Sequence, residues 1–400
     1  MILVERHIFT DQHEYFDEMN EICRLSKNLY NSCIYNQRLQ YKENKKYIGW
    51  ITLNNRFVKE NQVDYRALPT KVAKQTMRML DDNYKSFFAK RKNGDLSAKP
   101  PHYLDSKTGR YIARYPKEAL SFKKKEGYIH LSQTNIFIKS KINKEKIQYI
   151  RIVPKGNHCV VEIGYNAKRE EPKTDNGRYA SIDLGVNNLT TITSNVFEPL
   201  IINGRPIKSI NSYYNKSITK KKSKLPVGIY SSKYISNLYR RRENKINDYF
   251  HKVSTYIVNR LVSNQINTLV IGYNSGWKQD INMSKRNNQN FAYIPFYKFI
   301  SMLKYKCALK GITVETNEES YTSKCSFLDN EEICEHEKYL GKRVKRGLFI
   351  ASDGREINAD VNGSLNILKK YLLKQETWTF HLWEDLVRVC RTPRLCIIKP

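Results

Sequence analysis

Hydrophobic positions near the start of the chain change period once. Met1 to Phe9 is a short apolar run that predicts a strand, after which Phe16, Met19, Ile22, Leu25 and Leu29 recur at helical steps and predict a helix within Asp11 to Lys42. A second helix is marked by Pro69, which suits a first-turn position, followed by a stripe of Ala73, Met77, Leu80, Tyr84 and Phe87. The stretch from Gly94 to Tyr103, with Pro100-Pro101, breaks this pattern. Short β runs follow at Leu120 to Lys125, Tyr128 to Ser132, Tyr149 to Pro154 and His158 to Tyr165, with turns at Glu126-Gly127 and Gly156-Asn157, predicting a barrel or sandwich. Pro172 to Gly177 reads as a linker, and the texture then becomes βα alternation to about residue 371. The predicted fold class is therefore α/β with additional α and β subdomains: a first strand at 1–9, helices at 10–105, strands at 106–171, an α/β domain at 178–371 and an extension at 372–400.

Charge changes the picture next. Lys and Arg number 70 against 39 Asp and Glu, a formal charge of +31 over 400 residues. A surface this self-repulsive is matched to a polyanion, so nucleic acid is the expected partner and an ordinary basic enzyme the alternative. The 28 Tyr beside 15 Phe and 4 Trp add flat faces on which bases and sugars stack, although many must fill cores. Eight scattered cysteines and no apolar run of membrane or signal-peptide length predict a cytoplasmic protein with free thiols and no membrane partner. Cys325, Cys334 and His336 form no CxxC pair, so no zinc is expected.

Two carboxylates stand out in the α/β part. Asp183 interrupts the apolar strand Ala180 to Val186 and is followed at once by Leu184-Gly185; a structural turn is the plain alternative. Asp360, in Ile357-Asn358-Ala359-Asp360-Val361-Asn362-Gly363-Ser364, opens a helix with Leu365 and Leu368 on one face, where a helix N-cap is the alternative. The small neighbours Ala359, Gly363 and Ser364 permit close packing on a strand.

Asp183-Leu184-Gly185-Val186, Tyr321-Thr322-Ser323-Lys324 and Asp360-Val361-Asn362-Gly363 occur in the order and approximate spacing of the TnpB proteins, transposon-borne relatives of type V CRISPR effectors. Asn28-Leu29-Tyr30-Asn31 and Leu68-Pro69-Thr70-Lys71-Val72-Ala73 resemble that family's helical recognition lobe, and the strands from 120 to 165 its β-barrel wedge domain. The resemblance covers nearly the whole chain. It implies an RNase H-like RuvC endonuclease at 178–371, guided by a transposon-end RNA and cutting DNA beside a short motif, with carboxylates holding two Mg²⁺ ions.

Two departures from the family pattern matter. Where most members place a glutamate at the end of the strand equivalent to Thr268 to Ile271, this chain has Gly272. Some relatives, Fanzor among them, supply the acid from the strand before Thr-Ser-Lys, here Thr313 to Tyr321 with Glu315, Glu318 and Glu319. Strand alternation puts Glu315 and Glu319 on one face and Glu318 on the other; Glu319 is chosen for its proximity to the motif, Glu318 being the rival. The second departure is the missing zinc ribbon, replaced by an insertion at 325–350 whose Lys342, Arg343, Lys345 and Arg346 suit a lid over the substrate strand. Within the density of positive charge from Lys216 to Lys245, the first half is expected to be a loop, while Arg240, Arg241, Arg242 and Lys245, near the start of a helix from Tyr234 to Val262, suit an RNA–DNA heteroduplex. Lys71 and Gln75, one turn apart, are assigned to reading the adjacent motif on double-stranded DNA. Gly272 also raises the alternative of a nuclease-dead, RNA-guided repressor, and a transposase working without guide RNA is a third reading.

Overall fold

The computed structural model describes residues 1–274, 291–390 and 392–399. It divides into two compact units, residues 1–167 and 168–400.

In the first unit, β1 (Ile2–Thr10) precedes α1 (Phe16–Asn44), α2 (Trp50–Lys59), α3 (Val63–Arg66) and α4 (Thr70–Lys92). Strands β2 (Ala113–Pro116), β3 (Leu120–Ser121), β4 (Tyr128–Leu131), β5 (Phe137–Lys139), β6 (Ile147–Pro154) and β7 (His158–Asn166) follow. They pair antiparallel in two sheets, ordered β1-β7-β6-β2 and β3-β4-β5. The run at 120–125 keeps only two strand residues because Lys123, Lys124, Lys125 and Glu126 are exposed in a turn. Gly156, at φ +74°, adopts the left-handed conformation that the tight β6–β7 connection needs. Pro69 precedes the first helical residue instead of occupying it. Met19, Phe57, Tyr65 and Met77 from the helices share one buried core with Tyr115, Ile138, Ile150 and Val161 from the strands. The helical residues and the strands thus have no separate cores.

The second unit is built on a six-stranded sheet, in the order β12-β11-β8-β9-β10-β16. Its strands are β8 (Tyr179–Leu184), β9 (Asn188–Ser194), β10 (Leu200–Asn203), β11 (Thr268–Gly272), β12 (Thr313–Asn317) and β16 (Arg394–Cys396). β8, β9 and β10 form an antiparallel meander, whereas β11 runs parallel to β8 and β12 parallel to β11. β16, from the segment set apart as an extension, joins β10 in parallel and completes the sheet.

Strand alternation assigns the two faces. Ala180, Ile182, Leu269 and Ile271 enter a core with α6 (Lys233–Ser263) and α7 (Phe296–Ala308), through Tyr249, Phe250, Phe299 and Leu303. Tyr179 and Val270 enter the opposite core with Val361, Leu365 and Leu368 of α8 (Ala359–Lys374) and Leu386 of α9 (Phe380–Val389). A sheet covered on both faces explains the nearly continuous apolar run of β11. The lysines from Lys216 to Lys222, expected in a loop, close α5 (Arg205–Lys222) instead. Cations in the last turn complement the helix dipole, so a lysine-rich sequence there is compatible with a helix.

Candidate active site

Tyr179, Ser181 and Asp183 share the β8 face that α8 covers. The approach is close: Ser181 Oγ donates to the Ser364 carbonyl at 2.7 Å, and Thr193 Oγ1 lies 2.9 Å from Ser364 Oγ. A Cβ at Gly363 would stand 3.2 Å from Asp183 Oδ2, so glycine there lets the first turn of α8 lie against the aspartate. Asp360 sits in that turn without capping it. The cap is Asn358, whose Oδ1 accepts from the amides of Asp360 at 3.0 Å and Val361 at 3.3 Å. The Asp360 carboxylate instead accepts from Asn188 Nδ2 at 2.7 Å and from the Arg343 guanidinium at 3.3 Å.

The third acid arrives from beyond β12, which ends at Asn317. Strand alternation therefore ends two residues short of Glu319, and the loop decides where each glutamate points. Glu318 is exposed and ion-paired with Lys370; its partial burial pushes the carboxyl up, but that ammonium and the Ser320 amide together outweigh it and hold the group below the usual carboxylate range. Glu319 turns inward. Its amide donates to Asn274 Oδ1 at 3.0 Å, and its carbonyl accepts from Thr322 Oγ1 at 2.8 Å, which ties the backbone of Glu319 to the Thr-Ser-Lys motif. Glu319 Oε2 lies 2.9 Å from the point where a Cβ on Gly272 would stand, so the carboxylate fills the space that a side chain at the end of β11 would need. Glu315 is exposed on β12.

Electrostatics ties the acids together. Burial first, and then the neighbouring Glu319 and Asp360, push Asp183 well above the carboxylate range, opposed by Arg343. Burial also pushes Glu319 up to about 7, with Glu318 adding to the shift. Carboxyl groups that hold protons so firmly in the metal-free chain favour a cation as a replacement. The donor set, all carboxylate oxygen, has the chemistry of a Mg²⁺ site. Among the described residues no three His, Cys, Asp or Glu side chains are gathered close enough to hold one ion, and Asp360 is drawn aside by Asn188 and Arg343.

Over this site lies a small antiparallel sheet of β13 (Lys342–Lys345), β14 (Leu348–Ile350) and β15 (Glu356–Ile357), where the sequence suggested a basic lid. Arg343, Arg346 and Gly347 of this hairpin line a cavity of about 430 Å³ together with Asp183, Asn188, Arg205 and Asp360. Lys342 and Lys345 are exposed and do not line it. Asn188 and Arg205 carried no signal in the sequence, since only the β8–β9 turn and the start of α5 bring them to Asp183. Asn362 is structural: buried, it accepts from the Phe327 amide at 2.9 Å and donates to the Cys325 carbonyl at 2.9 Å. Burial pushes the Cys325 thiol up to about 11, while Cys334 Sγ lies 3.4 Å from His336 Nε2.

The other assigned cations differ in their freedom. Arg241 and Lys245 are exposed one turn apart on α6. Arg240 is half-buried and donates to Asn237 Oδ1 at 3.0 Å. Arg242 is tied inward, donating to Asn211 Oδ1 at 2.8 Å and to the Tyr293 carbonyl at 3.0 Å, and its guanidinium lies over the Tyr293 ring. On α4, Lys71 is exposed and Gln75 half-buried. Among the described residues no helix is long and apolar enough to cross a membrane.

Two family models match parts of the chain between residues 159 and 367. A model described as "Probable transposase" (OrfB_IS605) covers residues 159–278, and one described as "Cas12f1-like, TNB domain" covers residues 296–367. The TnpB-like protein ORF457 of Acidianus two-tailed virus is 24% identical over 229 residues, which span 54% of this chain but only 46% of that relative. A cryo-EM structure of a Cas12f1–sgRNA–target DNA complex is similar at TM-score 0.55 and 13% identity, covering 88% of this chain and 82% of that one, and shows a shared multi-domain α/β fold. Together with the Asp-Leu-Gly, Thr-Ser-Lys and Asp-Val-Asn-Gly motifs, these matches support a TnpB family protein.

Proposed function

We propose that this protein is an RNA-guided DNA endonuclease whose second unit is an RNase H-like RuvC domain with Asp183, Glu319 and Asp360 as its metal-holding carboxylates. The observation that carries this reading is the Glu319 carboxylate in the space left by Gly272, beside Asp183. The sheet order supports the domain assignment, because an antiparallel meander flanked by two parallel strands places Asp183 on the central strand β8. The nuclease-dead reading drew on Gly272, and the inward Glu319 supports the active reading over it.

Mg²⁺ held by these carboxylates would supply Lewis-acid stabilisation of the attacking and leaving oxygens in phosphodiester hydrolysis. The chain's own residues do the positioning. β8 fixes Asp183, the Asn274 and Thr322 bonds fix the backbone of Glu319, and the Asn358 cap spares the carboxylate of Asp360 from capping the helix. Arg343 and Arg346 on the hairpin, with Arg205 from the start of α5, bind the oxygens of a strand entering the cavity. Arg241 and Lys245, with a lesser share from Arg240, hold the guide–target heteroduplex through phosphate, while Arg242 supports the helix they stand on. Residues 10–105 serve as recognition lobe and 106–171 as wedge, with Lys71 and Gln75 on the adjacent DNA motif.

The test is purification with co-bound RNA, then incubation with a matched plasmid in Mg²⁺ or EDTA. Cleavage in Mg²⁺, lost in EDTA and in Asp183→Ala while guide-dependent binding persists, is the expected result. Undiminished cutting by Asp183→Ala would remove that residue from the mechanism.

A further inference from the structure

A second concavity lies within the first unit, at the C-terminal ends of α1 and α4. It encloses about 460 Å³, within the roughly 300–1,000 Å³ typical of small-ligand sites. Its wall is aromatic: Tyr41 from α1, Tyr84 and Phe88 from α4, and Tyr47 from the connection after α1. Its rim is basic, with Arg38, Lys42 and Lys45 all exposed.

The wall is braced without a ligand. Lys45, at φ +54°, ends α1 in a left-handed turn that sends the chain back past the helix, and the Gln37 amide bonds both the carbonyl and the amide of Ile48. Tyr47 Oη donates to Asp81 Oδ1 at 2.6 Å, and Asp81 also accepts from the Trp50 amide at 3.2 Å. The Tyr47 ring is thereby fixed 5.1 Å from Tyr84 and 5.5 Å from Phe88, centroid to centroid. Yet Tyr41 and Phe88 remain 55% and 41% exposed at the mouth. Two part-exposed rings, one with the Lys45 ammonium 5.9 Å from its centroid, a braced floor of two more and three cations around the edge suit a flat aromatic ligand that carries negative charge outside the cavity.

We propose that this cavity receives one unstacked base of a single-stranded RNA, its face against Tyr41 and Phe88, with the flanking phosphates on Arg38, Lys42 and Lys45. Stacking on aromatic side chains with cations tracking the backbone is how single strands are held. Gln37 and Tyr47 already spend their polar groups inside the fold, so the pocket accepts any base with little preference. On the far side of Phe87 and Pro100, a neighbouring hollow of about 300 Å³ bordered by Lys90, Lys99 and His102 gives the strand a continuation. The choice of RNA over DNA rests on the proposed function, in which the protein carries its RNA before it meets a target.

The test uses the full-length protein in EDTA without target DNA, so that nuclease activity has no part in it. The probe is a fluorescent single-stranded oligoribonucleotide carrying 5-iodouridine. Irradiation is expected to cross-link the peptides that contain Tyr41 and Phe88. Phe88→Ala, at an exposed position, is expected to weaken binding roughly tenfold with the salt slope unchanged, and Phe88→Trp to restore it. Lys42→Gln is expected to lower the salt slope by about one. Parental affinity in Phe88→Ala, cross-links confined to other segments, or tighter binding of the same sequence as DNA would each overturn the assignment. If the parent binds no RNA at all, the functional reading fails with it; if RNA binds and the cavity is unlabelled, only this inference fails.

Discussion

Replacing Glu319 by Gln is expected to change how the stability of the metal-free protein depends on pH. The Glu319 carboxyl has its proton affinity raised from the ordinary value near 4.5 to about 7, first by burial. Between those values the folded state binds more protons than the unfolded one, so stability falls as pH rises through the window and levels off above it. At ~1.4 kcal/mol for each tenfold change in proton affinity, the ceiling is roughly 3 kcal/mol, and relaxation around the carboxylate brings the expected loss to about 1–3 kcal/mol. Asp183, shifted in the same direction, adds to the slope. Glutamine preserves size and cannot ionise. Urea unfolding of the second unit in EDTA at pH 5 and pH 8 should therefore show the parent losing stability and Glu319→Gln losing less by about that amount. Adding Mg²⁺ at pH 8 should recover the difference in the parent alone, because a cation favours the ionised carboxylates. Identical pH dependence in parent and variant would mean instead that Glu319 ionises in the folded chain as freely as in water.

The remaining predictions concern the cations around the site. Arg343→Ala is expected to raise divalent-ion affinity about two- to fivefold in calorimetric titration, because the guanidinium holds Asp360 across 3.3 Å at a partly exposed position; unchanged affinity would show that it does not compete. Arg241→Gln combined with Lys245→Gln is expected to lower the salt slope of heteroduplex binding by about two while leaving thermal stability intact. Arg242→Gln is expected to do the reverse, lowering the melting temperature through loss of its bonds to Asn211 and Tyr293, with little change in slope.

Elements whose burial follows a simple period could be read from sequence. The α1 and α4 stripes are buried apart from Leu25 and Phe87, which are only partly covered, and the β6–β7 pair and the strand carrying Asp183 form where their spacing predicts. α5 escaped because its charge resembles a loop, although its buried residues Ile207, Asn211, Tyr214 and Ile218 keep helical spacing. The β13–β14 hairpin escaped for a different reason: β13 is exposed along its whole length, so no hydrophobic alternation marks it. At the site, the acids were legible as residue types but their geometry was not. Asn358 takes the cap that sequence offered to Asp360, and the end of β12 at Asn317 undoes the face argument for Glu319. Arg242 looks like its neighbours in sequence, and only the packing of α5 on α6 commits it to the interior.

Whether Glu319 supplies the carboxylate that Gly272 lacks is decided by comparing Glu319→Gln with Glu318→Gln in the purified RNA-bound protein. Both variants should retain RNA and bind a matched plasmid, since neither residue faces the surfaces assigned to guide or heteroduplex. In Mg²⁺, Glu319→Gln should cut at least about 100-fold more slowly than the parent, and Glu318→Gln, whose carboxylate pairs with Lys370, at close to the parental rate. Parental cutting by Glu319→Gln, or loss of cutting in Glu318→Gln alone, would contradict the assignment.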